Sequence, residues 1–302
     1  MCNYFNVIKL VFERVLIIMS NKLVDTMVLI DMCKKQNYEK VFFCEMSMYE
    51  MLKNKNNEQR FKTFRDLDLF VKQSRSEMLV SNKGANVFDD RNIIERYKNS
   101  LDICNQCAYT VANSFLHFCA MILQLALLQK GYASLQKADK EKYEKAMTAI
   151  VIVTERISLE MKQELIDCAF NNSSETLEED LYKPLINIFI NKINEHMGIE
   201  YLKLNEISAF TTNGIVKEND MKFHKDLIDR YVDEIVSFNT NEAITKKVYK
   251  IYLCDLLLIS GKIKFNDIVD MNIFFTGYTN KLKIISYDKK PKRLLTMLIN
   301  NC

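Results

Sequence analysis

The stretch from Ile103 to Gln129 contains no Asp, Glu, Lys or Arg, and it lies inside a longer pattern that constrains the architecture. Ile94, Tyr97, Leu101, Cys104, Ala108, Val111, Phe115, Phe118, Ile122 and Leu125 follow one another in steps of three and four. That spacing keeps side chains on one face of an α-helix. From Phe115 to Leu128 the helix is apolar nearly all round, which requires burial on several sides. Asn105, Gln106, Asn113, Ser114, His117 and Gln124 interrupt it, and each would need a partner in hydrocarbon. The pattern therefore reads as a buried core helix rather than a membrane span. Asp89 or Asp90 caps its start and Gly131 marks its end.

A second seam follows at Tyr143, Met147, Ile150, Thr154, Ile157, Met161, Leu165 and Cys168. The connector from Gly131 to Ala138 is short, so the two helices are expected to pack as an antiparallel hairpin. Further helices are expected at Tyr4–Met19, Lys22–Lys35, Met46–Lys53, Glu58–Leu79, Asp220–Phe238 and Asn241–Ser260, with Val80–Asp90 as a loop. Thr176 and Glu179 form a capping-box pattern for another helix, with Pro184 near its first turns. Lys262–Phe265, Asn272–Thr276 and Lys281–Ser286 are short, β-branched and aromatic, and read as strands. No Pro/Gly/Ser linker or repeat divides the chain. The expected fold is mainly α: one multi-helix domain over 1–302, built on a long central antiparallel hairpin, with short strands in 262–287 near the C-terminus.

Composition narrows the function classes. The chain has 302 residues and a net charge of +3, too small for a global nucleic-acid footprint. Its 6 glycines are scattered, which argues against the glycine loops of nucleotide-binding α/β enzymes. Lys, Asn, Ile, Phe and Tyr are abundant while Gly, Pro, Ala and Trp are scarce, the signature of an AT-rich genome such as that of a large insect DNA virus, a poxvirus, a mollicute or a protozoan parasite. Nine cysteines, an odd number in a long chain, point to a reduced nuclear or cytoplasmic protein. The segment Phe5–Met19 carries Lys9, Glu13 and Arg14, so it does not read as a secretory signal, and Met19 is an alternative start.

Motifs with chemical content are few. Cys104-Asn-Gln-Cys107 has redox spacing but falls inside a helix, without a surrounding βαβ pattern. Cys107 and His117 are about 15 Å apart along a helix, so Cys104, Cys107, His117 and Cys119 cannot share one ion. His117 is expected in the core. His196 and His224 have acids nearby, Glu195 and Asp226, but no evident nucleophile. Asp66 with Asp68, and Glu178 to Asp180, are acidic pairs of the kind metal-dependent nucleases use. At i and i+2 on a helix they do not face each other, so solvated faces or caps are expected. No GxSxG, HExxH, P-loop or dinucleotide loop occurs. No catalytic residue, cofactor or metal site is assigned. Lys289, Lys290, Lys292 and Arg293 form a compact basic cluster, a nuclear-import or phosphate-contact candidate. Cys2 and Cys302, at the ends, are candidates for an intermolecular disulfide.

Over its whole length the chain resembles, in composition, the occlusion-body matrix proteins of insect and crustacean nuclear DNA viruses, the nudivirus polyhedrins in particular. The basic KKPKR cluster at Lys289–Arg293 fits nuclear assembly. The resemblance implies a non-enzymatic viral structural protein that assembles with itself into a protective crystal around virions. It would sit in occlusion bodies in the host nucleus or cytoplasm, without small-molecule substrate, cofactor or membrane. Dissolution in alkali would follow from deprotonation of Tyr, Lys and Cys. Two other expectations stand beside it: a helical nucleic-acid-binding or replication accessory protein using the basic cluster, and a helical CxxC redox enzyme.

Overall fold

The computed structural model of the chain describes residues 21–80, 87–129, 137–171, 175–203, 228–229, 231–233, 243–254, 265–290 and 294. The chain, expected to form one domain, divides into two compact units: Met1–Ala108 with Val269–Lys292, and Tyr109–Ile268 with Arg293–Cys302. The fold is mostly helical, as expected, but the small sheet is not confined to the C-terminus.

In the first unit the elements run β1 (Lys22–Val24), α1 (Thr26–Lys35), β2 (Phe42–Cys44), α2 (Glu45–Leu52), α3 (Asn57–Ser74) and β3 (Glu77–Leu79). The first turns of α4 (Ile93–Gln129), most of α9 (Phe265–Thr279) and β4 (Lys283–Ile285) complete it. The four strands form one sheet in the order β3-β2-β1-β4, with every neighbouring pair parallel. Parallel neighbours need a crossover, and α1, then α2 with α3, supply two of them. The chain therefore does contain βαβ units, in the same unit as Cys104 and Cys107, contrary to expectation. Lys22–Val24 and Glu77–Leu79, expected at the ends of helices, are strands. Asn272–Thr276, expected as a strand, lies in α9. Lys283–Ile285 is a strand, paired with the N-terminal β1 rather than with a C-terminal neighbour.

Local chemistry sets these boundaries. Asp25 caps α1, its carboxylate accepting the Val28 amide at 2.8 Å, and Gln36 ends the helix in the left-handed region at φ 53°. Asn56 and Gln59 form a capping box at the start of α3. Beyond α3, Ser76 Oγ accepts the Val41 amide at 3.1 Å and the Ser74 hydroxyl at 2.6 Å, which ties the entry to β2 to the entry to β3. Leu23, Phe43, Phe64 and Phe70 fill the core at no more than 1% exposure. Gly277 of α9 has no room for a side chain: a Cβ there would come within 2.5 Å of Ile284 Cγ1 and 3.1 Å of Leu23 Cδ2. The glycine lets α9 lie directly on β1 and β4.

A buried ion pair braces the same unit. Arg96 Nη2 donates to Asp68 Oδ2 at 2.8 Å, with both side chains about 5% exposed. Arg96 Nη1 donates to the carbonyls of Asp89 and Arg91, so one guanidinium joins α3, the loop before α4 and α4 itself. Asp68 is therefore not on a solvated face, as expected from sequence, whereas Asp66 is exposed.

The second unit holds α4 from Tyr109 onward, α5 (Lys137–Glu160), α6 (Lys162–Asn171), α7 (Glu175–Met197) and α8 (Ala243–Cys254). The seam residues Val111, Phe115, Phe118, Ile122 and Leu125 are buried. The expected hairpin is not the main packing. α5 packs most extensively along α7 and meets α4 through Ser158, whose hydroxyl donates to Asn113 Oδ1 at 3.2 Å. Pro184 lies inside α7. α7 ends at Gly198, φ 68°, after which Asn194 Oδ1 accepts the amides of Tyr201 and Leu202, both at 3.0 Å. The helix expected at Tyr4–Met19 and the strand residues Lys262–Lys264 lie outside the described residues. So does most of the helix expected at Asp220–Phe238.

Candidate functional site

The sheet order places a topological switch at β1: β2 and β3 are added on one side and β4 on the other. In open parallel sheets, ligands bind outside the carboxyl ends of the strands at such a point. The residues that leave β1 and β4 there are polar. Pairing continues past the strands, because the Asp25 amide donates to the Ile285 carbonyl at 3.0 Å. With Val24 opposite Ile285, the next pair in register is Asp25 and Ser286. Parallel neighbours sit about 4.8 Å apart and point to the same face. Asp288 then folds back, its amide donating to Ser286 Oγ at 2.9 Å. Two aspartates from distant parts of the chain are thus brought to one edge.

α9 brings a third. Leu282 donates its amide to the Gly277 carbonyl at 2.8 Å as the chain reverses from α9 into β4, so the helix runs back along the strand. Gly277 lies level with Ile284. Asp270, two helical turns earlier on the same face, is about 10 Å further along the axis. Three strand residues cover about the same distance, which puts Asp270 near the level of Tyr287 at the carboxyl edge. α2 starts from the carboxyl end of β2 and packs on α1, and it carries Glu50, 20% exposed with Lys53 Nζ at 3.8 Å.

Thr26 stands beside Asp25. Its Oγ1 is buried with no hydrogen-bond partner, in a residue only 5% exposed. Unpaired buried hydroxyls are uncommon and costly, so this one marks a place where a bound group or water completes the structure. Asp31, in the second turn of α1, accepts from Lys35 Nζ at 2.8 Å and from the Tyr287 hydroxyl at 2.7 Å. The Lys35 bond first, and the Tyr287 bond second, hold the Asp31 carboxyl below its ordinary range, and the same carboxylate raises the Tyr287 phenol. Lys289 and Lys290 follow Asp288 directly.

Among the described residues, no group of three His, Cys, Asp or Glu side chains could hold a metal ion between them. A magnesium-like ion does not need such a cage. It keeps several waters and is held by one or two carboxylates together with a substrate phosphate. A pair such as Asp25 and Asp288 suits that mode.

The residues singled out from sequence fall differently. Lys289 and Lys290 lie at the switch-point edge, while Lys292 and Arg293 are outside the described residues, as are Cys2, Cys302 and His224. Cys104 and Cys107 are on α4, exposed 0% and 2%, and burial raises both thiols, which disfavours the reactive thiolate. His117, expected in the core, is exposed. His196 lines an open depression of about 470 Å³ in the second unit with Glu141, Glu144, Lys145, Thr148 and Met197. Ile93–Leu125 is long and apolar enough to cross a membrane, and 67% of its most apolar window is buried in the protein.

Sequence reasoning missed Asp25, Asp270 and Asp288 because nothing local links them. One signal was present: KLVD and KIISYD are two short apolar runs, each ending in an aspartate. Comparison with protein-family models, with characterised proteins and with solved structures finds no match to the chain.

Proposed function

We propose that the first unit is a divalent-cation-dependent hydrolase of phosphodiesters, acting on nucleic acid at the switch point of its sheet. The observation that carries this reading is the meeting of Asp25 with the Ser286–Asp288 turn across parallel strands, followed at once by Lys289 and Lys290. Asp25 and Asp288 would hold the cation, with Asp270 as a further acid level with the edge, and the lysines would take the flanking phosphates. The cation would supply charge stabilisation at the phosphoryl oxygen and lower the pKa of its water. Hydrolysis forms one P–O bond from water and breaks one ester P–O bond. The water's proton leaves through a carboxylate, and the leaving oxygen takes up a proton.

The nucleic-acid expectation is thereby moved from binding alone to catalysis. The self-assembling matrix protein remains a compositional proposal with no particular feature of the fold in its favour. The redox reading is disfavoured by the burial of Cys104 and Cys107.

The test is cleavage of a fluorescent single-stranded oligonucleotide by the full chain with Mg²⁺ or Mn²⁺, with EDTA, and by Asp288→Asn. Products that need the cation and are lost in the variant support the proposal. Intact substrate under all conditions, or equal cleavage by the variant, rejects it.

A further inference from the structure

Tyr287 is the residue of the switch-point edge that the hydrolase reading leaves unused. It stands between Ser286 and Asp288, with 65% of its surface exposed, an unusual position for an aromatic ring. Its orientation is nonetheless fixed. The hydroxyl donates to Asp31 Oδ2 at 2.7 Å, and Asp31 is itself held by Lys35 at 2.8 Å. Met27 lies one turn before Asp31 on the same face of α1 and is 59% exposed. An anchored ring and a thioether are therefore left open to solvent on the side of α1 that Tyr287 reaches.

We propose that Tyr287 is a stacking platform for a base of a single-stranded polynucleotide, with Met27 extending its apolar surface; the inference rests on the hydrolase reading and names its substrate class. Charge complementarity selects this occupant. Lys289 and Lys290 follow within three residues and match a phosphate backbone, and Asp288 is the residue between ring and lysines along the chain. Aromatic rings beside cationic side chains are how single strands are held without sequence preference, since every base has a face to stack. A duplex keeps its bases stacked on each other and offers none to the ring.

The experiment is fluorescence anisotropy of the full chain in EDTA, where binding is separated from hydrolysis. The probes are a labelled ten-nucleotide DNA strand, its RNA counterpart, the same length with abasic residues, and a ten-base-pair duplex. The expected result is that Tyr287→Ala weakens binding of the base-bearing single strands roughly 5- to 100-fold. Tyr287→Phe should retain most of the affinity, and the abasic strand should bind the wild type no better than the base-bearing strand binds Tyr287→Ala. The ratio between DNA and RNA then identifies the preferred strand. Equal binding by Tyr287→Ala, or equal binding of abasic and base-bearing strands, overturns the platform. Mn²⁺ binding to the wild type and to Asp288→Asn, followed by calorimetry without nucleic acid, reports on the carboxylates alone, so failure of the cation site is seen separately.

Discussion

The two units bury similar kinds of side chain but finish their polar groups differently. In the second, the seam from Val111 to Leu125 is buried along a continuous helix, and the backbone groups of that stretch bond within it. Its thiol Cys119 is fully buried and raised well above its ordinary range. In the first, four strands of three residues each end at one edge, and β1 and β4 there deliver Asp25, Thr26, Ser286, Tyr287 and Asp288. A helix closes its own hydrogen bonds along its length, while a short parallel strand hands its next residue to an edge. Chemistry collects at such edges because side chains distant in sequence meet there without leaving the support of the sheet.

The bracing of the first unit should give the biggest change on mutation. Arg96→Met leaves the Asp68 carboxylate buried without its main partner and should lower stability by about 3–5 kcal/mol in urea unfolding. The double variant Asp68→Leu/Arg96→Met should recover much of that loss. No recovery would show that the guanidinium contributes chiefly through the Asp89 and Arg91 carbonyls. Next in size, Asp288→Asn should lower cation-dependent cleavage about 10²–10³-fold, or about 2.7–4 kcal/mol of barrier, with urea stability nearly unchanged because the side chain is exposed. An equal loss of stability would make Asp288 structural.

Thr26→Val separates the needs of the edge from those of the core. Replacing a buried, unpartnered hydroxyl with a methyl should raise the stability of the cation-free protein by about 1 kcal/mol and weaken its affinity for Mn²⁺. A less stable variant would mean that the hydroxyl is already satisfied in the free protein. The long helix should respond least. Cys104 and Cys107, deprived of thiolate by burial, should react with a disulfide reagent no faster than the region opens, and Cys104→Ala should leave cleavage unchanged. Rapid labelling of the native protein would return the CxxC motif to consideration.

The helices were legible where periodicity was long. The seam has enough repeats to fix the helix, and from Cys104 to Leu125 it fixes the buried face as well, whereas Ile94, where it begins, is 58% exposed. The strands were not, because three residues are too few for a period of two to declare itself. Lys22–Val24 runs into an amphipathic helix and reads as its first turn, and Glu77–Leu79 reads as the last turn of α3. Ile273, Phe274 and Phe275 show the same ambiguity in reverse: β-branched and aromatic content suggests a strand, and packing of Gly277 on Leu23 and Ile284 places the segment in a helix. The basic residues Lys289 and Lys290 stand out by local composition alone. The acids do not, since the segments that carry Asp25 and Asp288 are brought to one edge only through the parallel pairing of β1 with β4.

The hydrolase reading is tested most directly by the anomalous difference map of crystals grown with Mn²⁺. A peak is expected outside the carboxyl ends of β1 and β4, within coordination distance of Asp25 and Asp288. Cation-dependent cleavage accompanied by a peak elsewhere, or by none at this edge, would contradict it.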